Sequence, residues 1–573
     1  MPASNVEIAR LFNRLADLLE IDGANPFRVR AYRNAARTIR AQSRSMADRV
    51  AADEDLSALP DIGDDIAARI KTIVETDRLP VLDEIEARVP GELSDMMHIE
   101  GLGPKRVKAL YQELQIAGMD DLERVARAGR IHELPGFGRK TEEAILRRVE
   151  AWTGRERRTL LAEAEGIAEP LVKYLEKSRG VKRLTIAGSY RRRKETVGDL
   201  DILATAKKGS NIIERFVDYE NVGEVVSHGT TRSTVHLKSG MQVDLRVVPE
   251  VSYGAALHYF TGSKSHNIAL RAMAQKRKEK VNEYGVYKGD KRIAGRTEEE
   301  VYKHFGMTWV PPELRENHGE IDAARDNRLP DLVTVKDVRG DLQMHTTESD
   351  GRNSLEEMAR TAADMGYDYI AITDHSQHVT VANGLDEKRL RRQIEAIDRL
   401  NDKLEEIVVL KSLELDILED GSLDLPDSVL KELDLTVCSI HSKFNLSRDK
   451  QTGRVLRAMD NPFFNIFAHP TGRLINERDP YDIDIERIME GAKERGCFLE
   501  VNAQPVRLDL NDDACRMARD LGLKLAISTD AHSADGLANM RFGVNQARRG
   551  WLEADDVINT RSLTALRKLL KRA

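Results

Sequence analysis

The sequence predicts a multidomain protein with an all-α N-terminal region, an α+β middle domain and a C-terminal β/α barrel. Helical periodicity runs through residues 1 to about 150, and short strand-like runs follow it. After about residue 338, seven apolar runs alternate with helical segments. A chain of 573 residues is also too long for a single hydrophobic core.

The composition is that of a globular protein, with 41% hydrophobic and 32% charged residues. The net charge of -7 does not exclude nucleic acid, because an acidic domain can mask basic runs such as 191–194 and 271–280. Three cysteines without CxxC spacing favour a reducing compartment over a disulfide framework. No apolar stretch has membrane-spanning length, so we expect no contact with a membrane. The cysteine usage favours a cytoplasmic location, and we expect a monomer.

Three related segments interrupt the N-terminal helices, at residues 59–63, 99–103 and 134–138. Each precedes a polar helix start, and the second and third closely resemble helix-hairpin-helix motifs. Their glycines let the backbone approach a phosphate, which the N–H groups of the next helix can bind. A single copy could be a tight turn, but three copies favour binding to the DNA backbone. The candidate DNA-binding residues are Gly101, Gly103, Gly136 and Gly138.

The middle region reads as an α+β domain. The strand-like runs are 184–187, 199–205, 234–238 and 243–248. The last two flank Ser239-Gly240, a plausible hairpin turn. A polar stretch from Pro311 to Leu329, followed by Pro330, is typical of an interdomain linker.

Three carboxylates in this domain form a candidate catalytic centre. Strand alternation puts Asp199 and Asp201 on one face, and Asp244 lies on a later strand. Such a trio can hold two Mg²⁺ or Mn²⁺ ions, one for an attacking 3′-hydroxyl and one for a triphosphate. The preceding Gly188-Ser189 and Arg192 are placed to bind phosphate oxygens. Together these residues indicate a nucleotidyltransferase.

At this point the sequence resembles the family X DNA polymerases, DNA polymerase beta among them. The discriminating stretch is Tyr259-Phe260-Thr261-Gly262-Ser263, followed by Asn267 and Arg271. The resemblance implies that Tyr259 and Phe260 pack on the incoming sugar, Asn267 contacts the base, and Arg271 contacts the templating side. The nucleotide-binding candidates are therefore Gly188, Ser189, Arg192, Tyr259, Phe260, Gly262, Asn267 and Arg271.

One position departs from the lyase-active members of that family. They use a lysine amine on the helix after the first hairpin, where this chain has Arg69, and Asp65 replaces a usual basic residue. Arginine stays protonated and cannot form a Schiff base. Lys71 is close in sequence, but helical spacing turns it away from Arg69.

The C-terminal region predicts a seven-stranded β/α barrel with chemistry at its strand ends. The runs are 341–345, 369–375, 408–416, 435–441, 465–469, 498–502 and 525–532, and nearly all end in His, Asp or Glu. This region resembles the PHP (polymerase and histidinol phosphatase) family, in which nine ligands hold three metal ions. The matching ligands are His345, Asp350, His375, Glu414, His441, His469, Asp530 and His532.

The resemblance groups these ligands around three ions, for which imidazole and carboxylate donors suit Mn²⁺ or Zn²⁺. The groups are His345, Glu414 and Asp530; Glu414, His441 and His469; and Asp350, His375 and His532. Glu500 and Asn502 end a strand and are candidates for supporting the ligands. The family usually opens with His-x-His, whereas Gln343 precedes His345 here, and an amide is the weaker ligand.

The boundaries that follow define six segments. They are 1–88 (helical, DNA-binding and lyase-like, without the lyase lysine), 89–150 (helix-hairpin-helix), 151–248 (palm), 249–315 (nucleotide and template binding), 316–337 (linker) and 338–573 (PHP barrel). We expect template-directed gap filling on primer-template DNA with dNTPs, in base excision repair, and 3′-5′ exonuclease or 3′-end processing by the barrel. The alternatives are a template-independent nucleotidyltransferase with a small-molecule phosphatase, and a repair scaffold with an inactive barrel.

Overall fold

The computed structural model describes residues 5–40, 46–76, 78–97, 99, 101–153 and 158–570. The chain divides into two compact units, Met1–Arg158 and Thr159–Ala573. Glu100, part of the second predicted hairpin, lies outside the described residues. Among the described helices, none combines the length and apolar character needed to cross a membrane.

The first unit is helical, as the 3.6-residue periodicity predicts. Its described helices are α1 (Asn5–Asp22), α2 (Pro26–Arg40), α3 (Met46–Ala51), α4 (Asp64–Thr76), α5 (Pro80–Glu86), α6 (Leu93–Met96), α7 (Pro104–Leu114), α8 (Met119–Arg127) and α9 (Arg139–Thr153). The three predicted hairpin segments precede α4, α7 and α9. Gly101 and Gly136 adopt φ values of 91° and 86°, and Asp61 adopts 59° at the matching position of the first segment. All three copies therefore share a residue with positive φ at the same position.

The second unit begins with a mixed β-sheet that forms the palm. Its elements are β1 (Thr159–Leu160), α10 (Leu161–Glu176), β2 (Val181–Ile186), α11 (Gly188–Arg191), β3 (Thr196–Val197), β4 (Asp199–Ala206), α12 (Ile212–Val217), β5 (Val222–His228), β6 (Arg232–Leu237) and β7 (Gln242–Val247). The sheet order is β2-β4-β7-β6-β5, and only the β4–β7 pair is parallel. The predicted turn joins β6 to β7, with Gly240 at φ 86°. The edge strand β5 was not predicted.

A smaller subdomain follows, in which helices pack on a three-stranded antiparallel sheet. Its elements are α13 (Tyr253–Thr261), α14 (Lys264–Lys276), β8 (Lys280–Asn282), β9 (Gly285–Lys288), β10 (Lys291–Ala294), α15 (Glu298–His304) and α16 (Glu320–Arg325). α16 corrects the prediction of a linker over 316–337. Ile321 and Ala324 are buried in the core of this subdomain, and the fully buried Glu320 lies 2.6 Å from His266 Nδ1. Most of the charged residues of this segment are exposed, which makes it polar in sequence, whereas the buried Glu320 is satisfied by His266.

The C-terminal part is the predicted β/α barrel. Its elements are β11 (Gly340–Asp341), α17 (Leu355–Asp364), β12 (Tyr369–Ile372), α18 (Glu387–Asn401), β13 (Val408–Lys411), β14 (Glu414–Asp416), α19 (Asp427–Leu430), β15 (Val437–Ser439), α20 (Arg448–Met459), β16 (Ile466–Phe467), α21 (Ile485–Arg495), β17 (Phe498–Asn502), α22 (Asp512–Leu521), β18 (Leu525–Ser528), α23 (Met540–Arg549) and α24 (Leu563–Leu570). The third predicted run is split into β13 and β14.

Parallel pairing runs through the barrel in the orders β11-β12-β13 and β14-β15-β16-β17-β18. A parallel bridge between His375 and Glu414 joins the two sheets, and one between Met344 and Ala531 joins the first and last strands. The Asn559 side chain reinforces this closure by donating to the carbonyls of Gly340 and Ile527. The β/α barrel prediction is confirmed, and the barrel has the seven predicted strands when β13 and β14, which divide the third run, are counted as one.

The palm and the barrel share buried surface. Leu508 and Phe542 of the barrel belong to the palm's hydrophobic cluster, and Trp551 packs in the cluster of the smaller subdomain. Arg549 on α23 is almost fully buried and lies 3.2 Å from Glu316 Oε1. Apolar burial and ion pairs together therefore hold residues 159–573 as one compact unit.

Candidate functional sites

The three predicted catalytic carboxylates meet on adjacent strands. β4 and β7 are parallel, and their register sets Asp201 directly opposite Asp244. Asp199 lies two residues earlier on the same face of β4. Thr234 Oγ1 donates to Asp244 Oδ1 at 2.7 Å, and the Gln242 side chain donates to Oδ2 at 3.0 Å. Side chains of the sheet therefore fix the Asp244 carboxylate, and the strand register places Asp201 beside it.

The electrostatics of this trio fit divalent cations. Burial and the neighbouring Asp199 and Asp244 carboxylates raise the pKa of Asp201 from 3.8 to about 7. Repulsion of this kind is relieved by a cation that the three oxygens share. Hard Mg²⁺ or Mn²⁺ ions match such an all-oxygen donor set.

One of the predicted phosphate-binding residues, Gly188, lies against the carboxylate trio, and Ser189 and Arg192 follow it in the chain. Gly188 approaches Asp201 so closely that a Cβ would lie 2.9 Å from its Oδ2, which explains the need for glycine. Arg192 Nη1 donates to the Thr261 carbonyl, and a Cβ on Gly262 would lie 3.2 Å from the same nitrogen. Ser189 lies on the short helix α11 beside them. The Arg192 guanidinium is also held by Glu316, to which its Nε donates at 2.9 Å.

The other nucleotide-binding candidates line a neighbouring pocket. Tyr259, Asn267 and Arg271 share it with apolar residues of α13, α14 and β8. The Asn267 amide donates to the Tyr259 carbonyl at 2.8 Å, and Arg271 Nε donates to the Asn267 carbonyl at 3.3 Å. Phe260 packs edge-on against Tyr259, with the ring centroids 5.2 Å apart. The structure thus brings this predicted set together.

The second and third hairpins are linked by an arginine that sequence reasoning missed. Arg106 donates to the carbonyl of Gly101 at 2.7 Å and to that of Gly136 at 3.1 Å. At Gly103 and Gly138, no described atom lies within 4 Å of a built Cβ. The backbone at both hairpins is therefore open to a ligand such as a phosphate.

In the barrel, Glu414 lies at the centre of a buried cluster. Its Oε2 is 3.4 Å from His345 Nε2 and 3.3 Å from His375 Nδ1. Its Oε1 is 3.3 Å from His441 Nε2 and 3.1 Å from His469 Nε2. Four imidazoles thus converge on one carboxylate.

Two further carboxylates complete the cluster. Asp530 Oδ1 lies 3.1 Å from His345 Nε2. Asp350 Oδ2 lies 3.5 Å from His532 Nε2 and 3.7 Å from His375 Nε2. All eight predicted ligands therefore lie in one connected network at the carboxyl ends of the barrel strands.

Donor atoms within 4.8 Å of one another define three potential metal groups among the described residues. These groups are His345, Asp350, His375 and His532; His375, Glu414 and His441; and His345, Glu414 and Asp530. The group of His345, Glu414 and Asp530 is the expected one. The group of Asp350, His375 and His532 is also as expected, with His345 added. The remaining group contains His375 where His469 was expected, although His469 still contacts Glu414.

Buried donors without partners support the fit of metal ions to this cluster. Within the described chain, His345 Nδ1, His375 Nδ1 and both amide atoms of Gln343 are buried without a hydrogen-bond partner. Burial lowers the pKa of His375 to about 4, which keeps its imidazole neutral and able to ligate. Burying a polar atom without a hydrogen-bond partner costs free energy, so these unpaired atoms support the binding of metal ions by this cluster.

Glu500 and Asn502 support the ligands, as their position at a strand end suggested. Glu500 Oε2 accepts from the His469 main-chain N–H at 2.7 Å, and the Asn502 amide donates to both Glu500 and Asp530. These contacts fix the orientation of His469 and Asp530. Burial raises the pKa of the Glu500 carboxyl well above its usual value, the nearby Asp530 carboxylate adding to the effect.

Family profiles match the chain along most of its length. They are the Helix-hairpin-helix domain (3–79), the SAM-like Helix-hairpin-helix tandem (93–150), the DNA polymerase beta palm (161–244), the DNA polymerase beta thumb (256–316) and the PHP domain (341–504). The order of these domains is the order of the predicted segments.

Curated relatives extend these matches. The chain is 38% identical over 571 residues to the DNA polymerase/3′-5′ exonuclease PolX of Bacillus subtilis (strain 168), covering 99% of each chain. A probable phosphatase of Thermoanaerobacter sp. (strain X514) is 29% identical over 231 residues, 38% of this chain and 89% of that protein. Another, of Caldanaerobacter subterraneus, is 30% identical over 203 residues, 34% of this chain and 75% of that protein. With full-length similarity and each domain profile in order, the chain belongs to the family X DNA polymerases that carry a C-terminal PHP domain.

Proposed function

We propose that this protein fills gaps in DNA by template-directed synthesis during repair, and that its PHP barrel digests DNA from 3′ ends. The polymerase and 3′-5′ exonuclease activities agree with the full-length relative and with the palm and PHP profiles. The observation that carries the polymerase assignment is the parallel register that sets Asp201 opposite Asp244. The role in base excision repair is the finer part of the proposal.

In the palm, Asp199, Asp201 and Asp244 would hold two Mg²⁺ or Mn²⁺ ions. Bound there, such ions neutralise triphosphate charge and favour loss of the 3′-hydroxyl proton. The chain itself would orient the nucleotide: Arg192 and Ser189 would contact the phosphates, and Gly188 leaves Asp201 without a neighbouring side chain at that position. Tyr259, Asn267 and Arg271 would supply the pocket wall against sugar and base, with Phe260 packed against Tyr259.

The hairpins would hold the DNA duplex. Gly101 and Gly136 turn the chain with positive φ just before α7 and α9, whose first N–H groups could bind a phosphate. Gly103 and Gly138 leave room for a phosphate to approach these groups. Contacts of this kind position DNA without reading its sequence, which suits a gap-filling enzyme. We therefore propose gapped or primer-template DNA and dNTPs as the binding partners.

In the barrel, the eight predicted ligands would hold up to three ions, with Mn²⁺ or Zn²⁺ suited to the mixed imidazole and carboxylate donors. Bound there, the ions polarise a phosphodiester and lower the pKa of an attacking water. Glu500 and Asn502 keep the donors oriented, and burial of Glu414 strengthens its hold on a cation.

A labelled primer on a gapped duplex tests both activities. With dNTPs and Mg²⁺ or Mn²⁺ we expect extension that follows the template and stops when the gap is filled. Without dNTPs we expect stepwise shortening from the 3′ end. Extension that ignores the template would favour a template-independent nucleotidyltransferase, and complete inactivity in both arms would favour a DNA-binding scaffold.

A second activity is favoured for the barrel because two curated relatives that cover it are named probable phosphatases. Removal of a 3′-terminal phosphate would need the same cluster of metal ligands. A primer that ends in a 3′-phosphate separates the two activities, since a phosphatase releases inorganic phosphate and an exonuclease releases nucleotides. A cytoplasmic location and a monomeric state stay predictions.

A further inference from the structure

Arg549, the last residue of the barrel helix α23, reaches the polymerase part of the chain. Its side chain is only 1% exposed. Its Nη1 donates to the main-chain carbonyl of Arg192 at 2.8 Å and to Glu316 Oε1 at 3.2 Å. Arg192 is the predicted phosphate-binding arginine of the palm, and Glu316 is the carboxylate that holds it. One barrel side chain therefore contacts both the backbone of Arg192 and the partner of its guanidinium.

The Glu316 carboxylate is shared among three cations. Its Oε1 accepts from Arg192 Nε at 2.9 Å and from Arg549 Nη1 at 3.2 Å, and Lys194 Nζ lies 3.9 Å away. Burial alone would raise the pKa of Glu316, but these three cations hold it below its usual value. The carboxylate is therefore ionised at neutral pH. Because its single negative charge is divided, it does not fully neutralise Arg192.

The Arg192 guanidinium keeps one nitrogen for a ligand. Its Nε donates to Glu316 and its Nη1 donates to the Thr261 carbonyl. Among the described residues, none accepts a hydrogen bond from Nη2, and 13% of the side chain is exposed. An arginine can donate five hydrogen bonds, so the N–H groups of Nη2 are available to an anion. The contacts at the other two nitrogens fix the direction in which they point.

Arg549 is itself anchored inside the barrel. Its Nη2 donates to the Asp512 carboxylate on α22, while Nη1 serves the polymerase residues. The planar fork of an arginine can satisfy both sides at once, whereas a lysine amine is a single point charge. The barrel therefore supplies a fixed support for the segment that carries Arg192.

We propose that Arg549 of the barrel is a positioning residue for nucleotide binding in the palm. By holding the Arg192 carbonyl and sharing Glu316, it keeps Arg192 Nη2 oriented and electropositive toward the triphosphate of an incoming nucleotide. Donors that folding has already oriented bind more tightly, because less side-chain freedom is lost on binding. The inference rests on the proposed polymerase function and on the role of Arg192 in it.

The neighbouring Arg548 provides a matched control. Its Nε donates to Glu313 Oε1 at 2.9 Å, and its Nη1 donates to the Val333 carbonyl at 3.1 Å. These bonds tie the same turn of α23 to the segment just before Glu316. Within the described chain, its hydrogen bonds do not reach Arg192 or Glu316. Arg548→Gln therefore weakens the domain contact without changing the support of Arg192.

The test uses the full chain as wild type, Arg549→Lys, Arg549→Gln, Arg548→Gln, Arg192→Ala and the double variant Arg192→Ala/Arg549→Lys. We measure Tm, the Kd of a dNTP with Mg²⁺ by calorimetry, and the dNTP KM and kcat for filling a gapped duplex. All affinities are measured below the lowest Tm of the set, so that each variant is compared in its folded state.

We expect Arg549→Lys to raise the dNTP Kd and KM by about three- to tenfold and to change kcat less. Arg192→Ala should raise them by about tenfold or more, the scale of lost hydrogen bonds to a charged group. Arg549→Gln should resemble Arg549→Lys in affinity but have a lower Tm, because it leaves Asp512 without its cation. Arg548→Gln should lower Tm and keep the wild-type dNTP affinity.

In the Arg192→Ala background, Arg549→Lys should cause no further loss of dNTP affinity, because its effect passes through Arg192. An additional loss there would overturn the proposal, and so would an equal loss of affinity in Arg548→Gln, which would mean that any weakening of the domain contact suffices.

Equal dNTP affinities in wild type and Arg549→Lys, including no measurable binding by either, would also overturn the proposal. Wild-type affinity in Arg192→Ala would remove the phosphate role of Arg192, and this inference with it. If wild type binds the dNTP but extends no primer, the polymerase function fails, and the dNTP affinities alone decide the role of Arg549.

Discussion

Glu195 of the palm and Arg473 of the barrel form an ion pair, with Glu195 Oε2 2.6 Å from Arg473 Nη2. The same arginine donates to two carbonyls of the loop that carries Arg507. Only 12% of the Arg473 side chain and 29% of the Glu195 side chain are exposed. Through Arg473, the palm therefore contacts the barrel loop whose Arg507 lies 3.7 Å from Asp530, a predicted metal ligand.

We expect Glu195→Ala to weaken digestion of 3′ ends and to leave the metal ligands intact. Removing one partner of a partly buried ion pair should lower the free energy of unfolding by about 1–2 kcal/mol, less than for a fully buried pair. A fall of a few degrees in Tm is the matching thermal signal. The measurements are Tm and the KM for a recessed 3′ end. The control is Arg360→Ala, which removes an exposed arginine of α17 that lies 2.7 Å from Glu356. An unchanged Tm and KM would show that this ion pair contributes nothing.

Separate catalytic centres predict separable activities. Asp201→Asn removes one carboxylate of the palm trio without changing its shape, and should reduce primer extension by about 10³-fold or more. Glu414→Gln should do the same to 3′-end digestion, because Glu414 contacts four histidines. Each variant should keep the other activity, measured on the same gapped duplex with and without dNTPs. Loss of both activities in either folded variant would contradict independent sites.

The palm carboxylates also predict a pH dependence. Because burial, Asp199 and Asp244 raise the pKa of Asp201 to about 7, the folded metal-free protein holds a proton that the unfolded chain releases near pH 4. Between these values the folded state binds more protons, so the stability from this group falls as pH rises from about 4 to 7. Mg²⁺ competes with that proton, so Mg²⁺ affinity should increase with pH up to about 7 and then level.

Metal-free Tm and the Mg²⁺ concentration for half-maximal extension, each measured from pH 5.5 to 8.5, test this dependence. Asp201→Asn is the control for Tm, because it cannot titrate and should lose the Asp201 part of the slope. A wild-type Mg²⁺ requirement that stays flat below pH 7 would mean that Asp201 is already ionised there.

The sequence predicts the barrel well because each strand is an apolar run that ends in a ligand-type residue, as in 369–375. The edge strand β5 is missed since its residues are mostly exposed, with Val225 and Val226 about half accessible. The residues of α16 were expected to form a linker because half of them are charged, and the sequence does not show that one of these, Glu320, is buried. Local pattern alone cannot report a partner such as His266, which lies 54 residues away.

The candidate sites divide in the same way. Strand alternation predicts that the palm carboxylates share one face of a strand. The barrel histidines are identified from the resemblance to the PHP family. Arg106 and Arg507 are single basic residues without a periodic signal. Their positions depend on contacts with Gly136 and with Arg473 that only the folded chain brings about.

Arg69 predicts the absence of efficient deoxyribose-phosphate lyase activity. Its guanidinium is held by Asp65 through two hydrogen bonds of 2.8 and 3.0 Å, so it is neither a free amine nor free to move. We expect no covalent adduct when borohydride is added to the protein on a pre-incised abasic duplex. Strong trapping that survives Lys71→Ala would show that another amine performs the reaction.

Gln343 predicts a weakened metal site in the barrel. It lies two residues before His345 in the segment that follows β11, at the position of the first histidine of the family's His-x-His pattern. Gln343 is fully buried, and in the described structure neither its amide oxygen nor its nitrogen has a hydrogen-bond partner. A buried amide in this state gains from ligating a cation, but its neutral oxygen binds Mn²⁺ or Zn²⁺ less tightly than an imidazole. We therefore expect 3′-end digestion to require added metal, with Mn²⁺ more effective than Mg²⁺.

Gln343→His should lower the Mn²⁺ concentration for half-maximal digestion by roughly tenfold, the scale on which one ligand changes metal affinity. Gln343→Leu, which keeps the volume without a donor, is the matched control and should raise that concentration. A Mn²⁺ titration of the three proteins on a recessed 3′ end, together with Mn²⁺ binding by calorimetry, compares them. If all three titrations coincide, position 343 does not contact the metal and the two buried amide atoms need another explanation. If Gln343→His binds Mn²⁺ more weakly, the pocket is shaped for the amide, and the absent imidazole is no handicap.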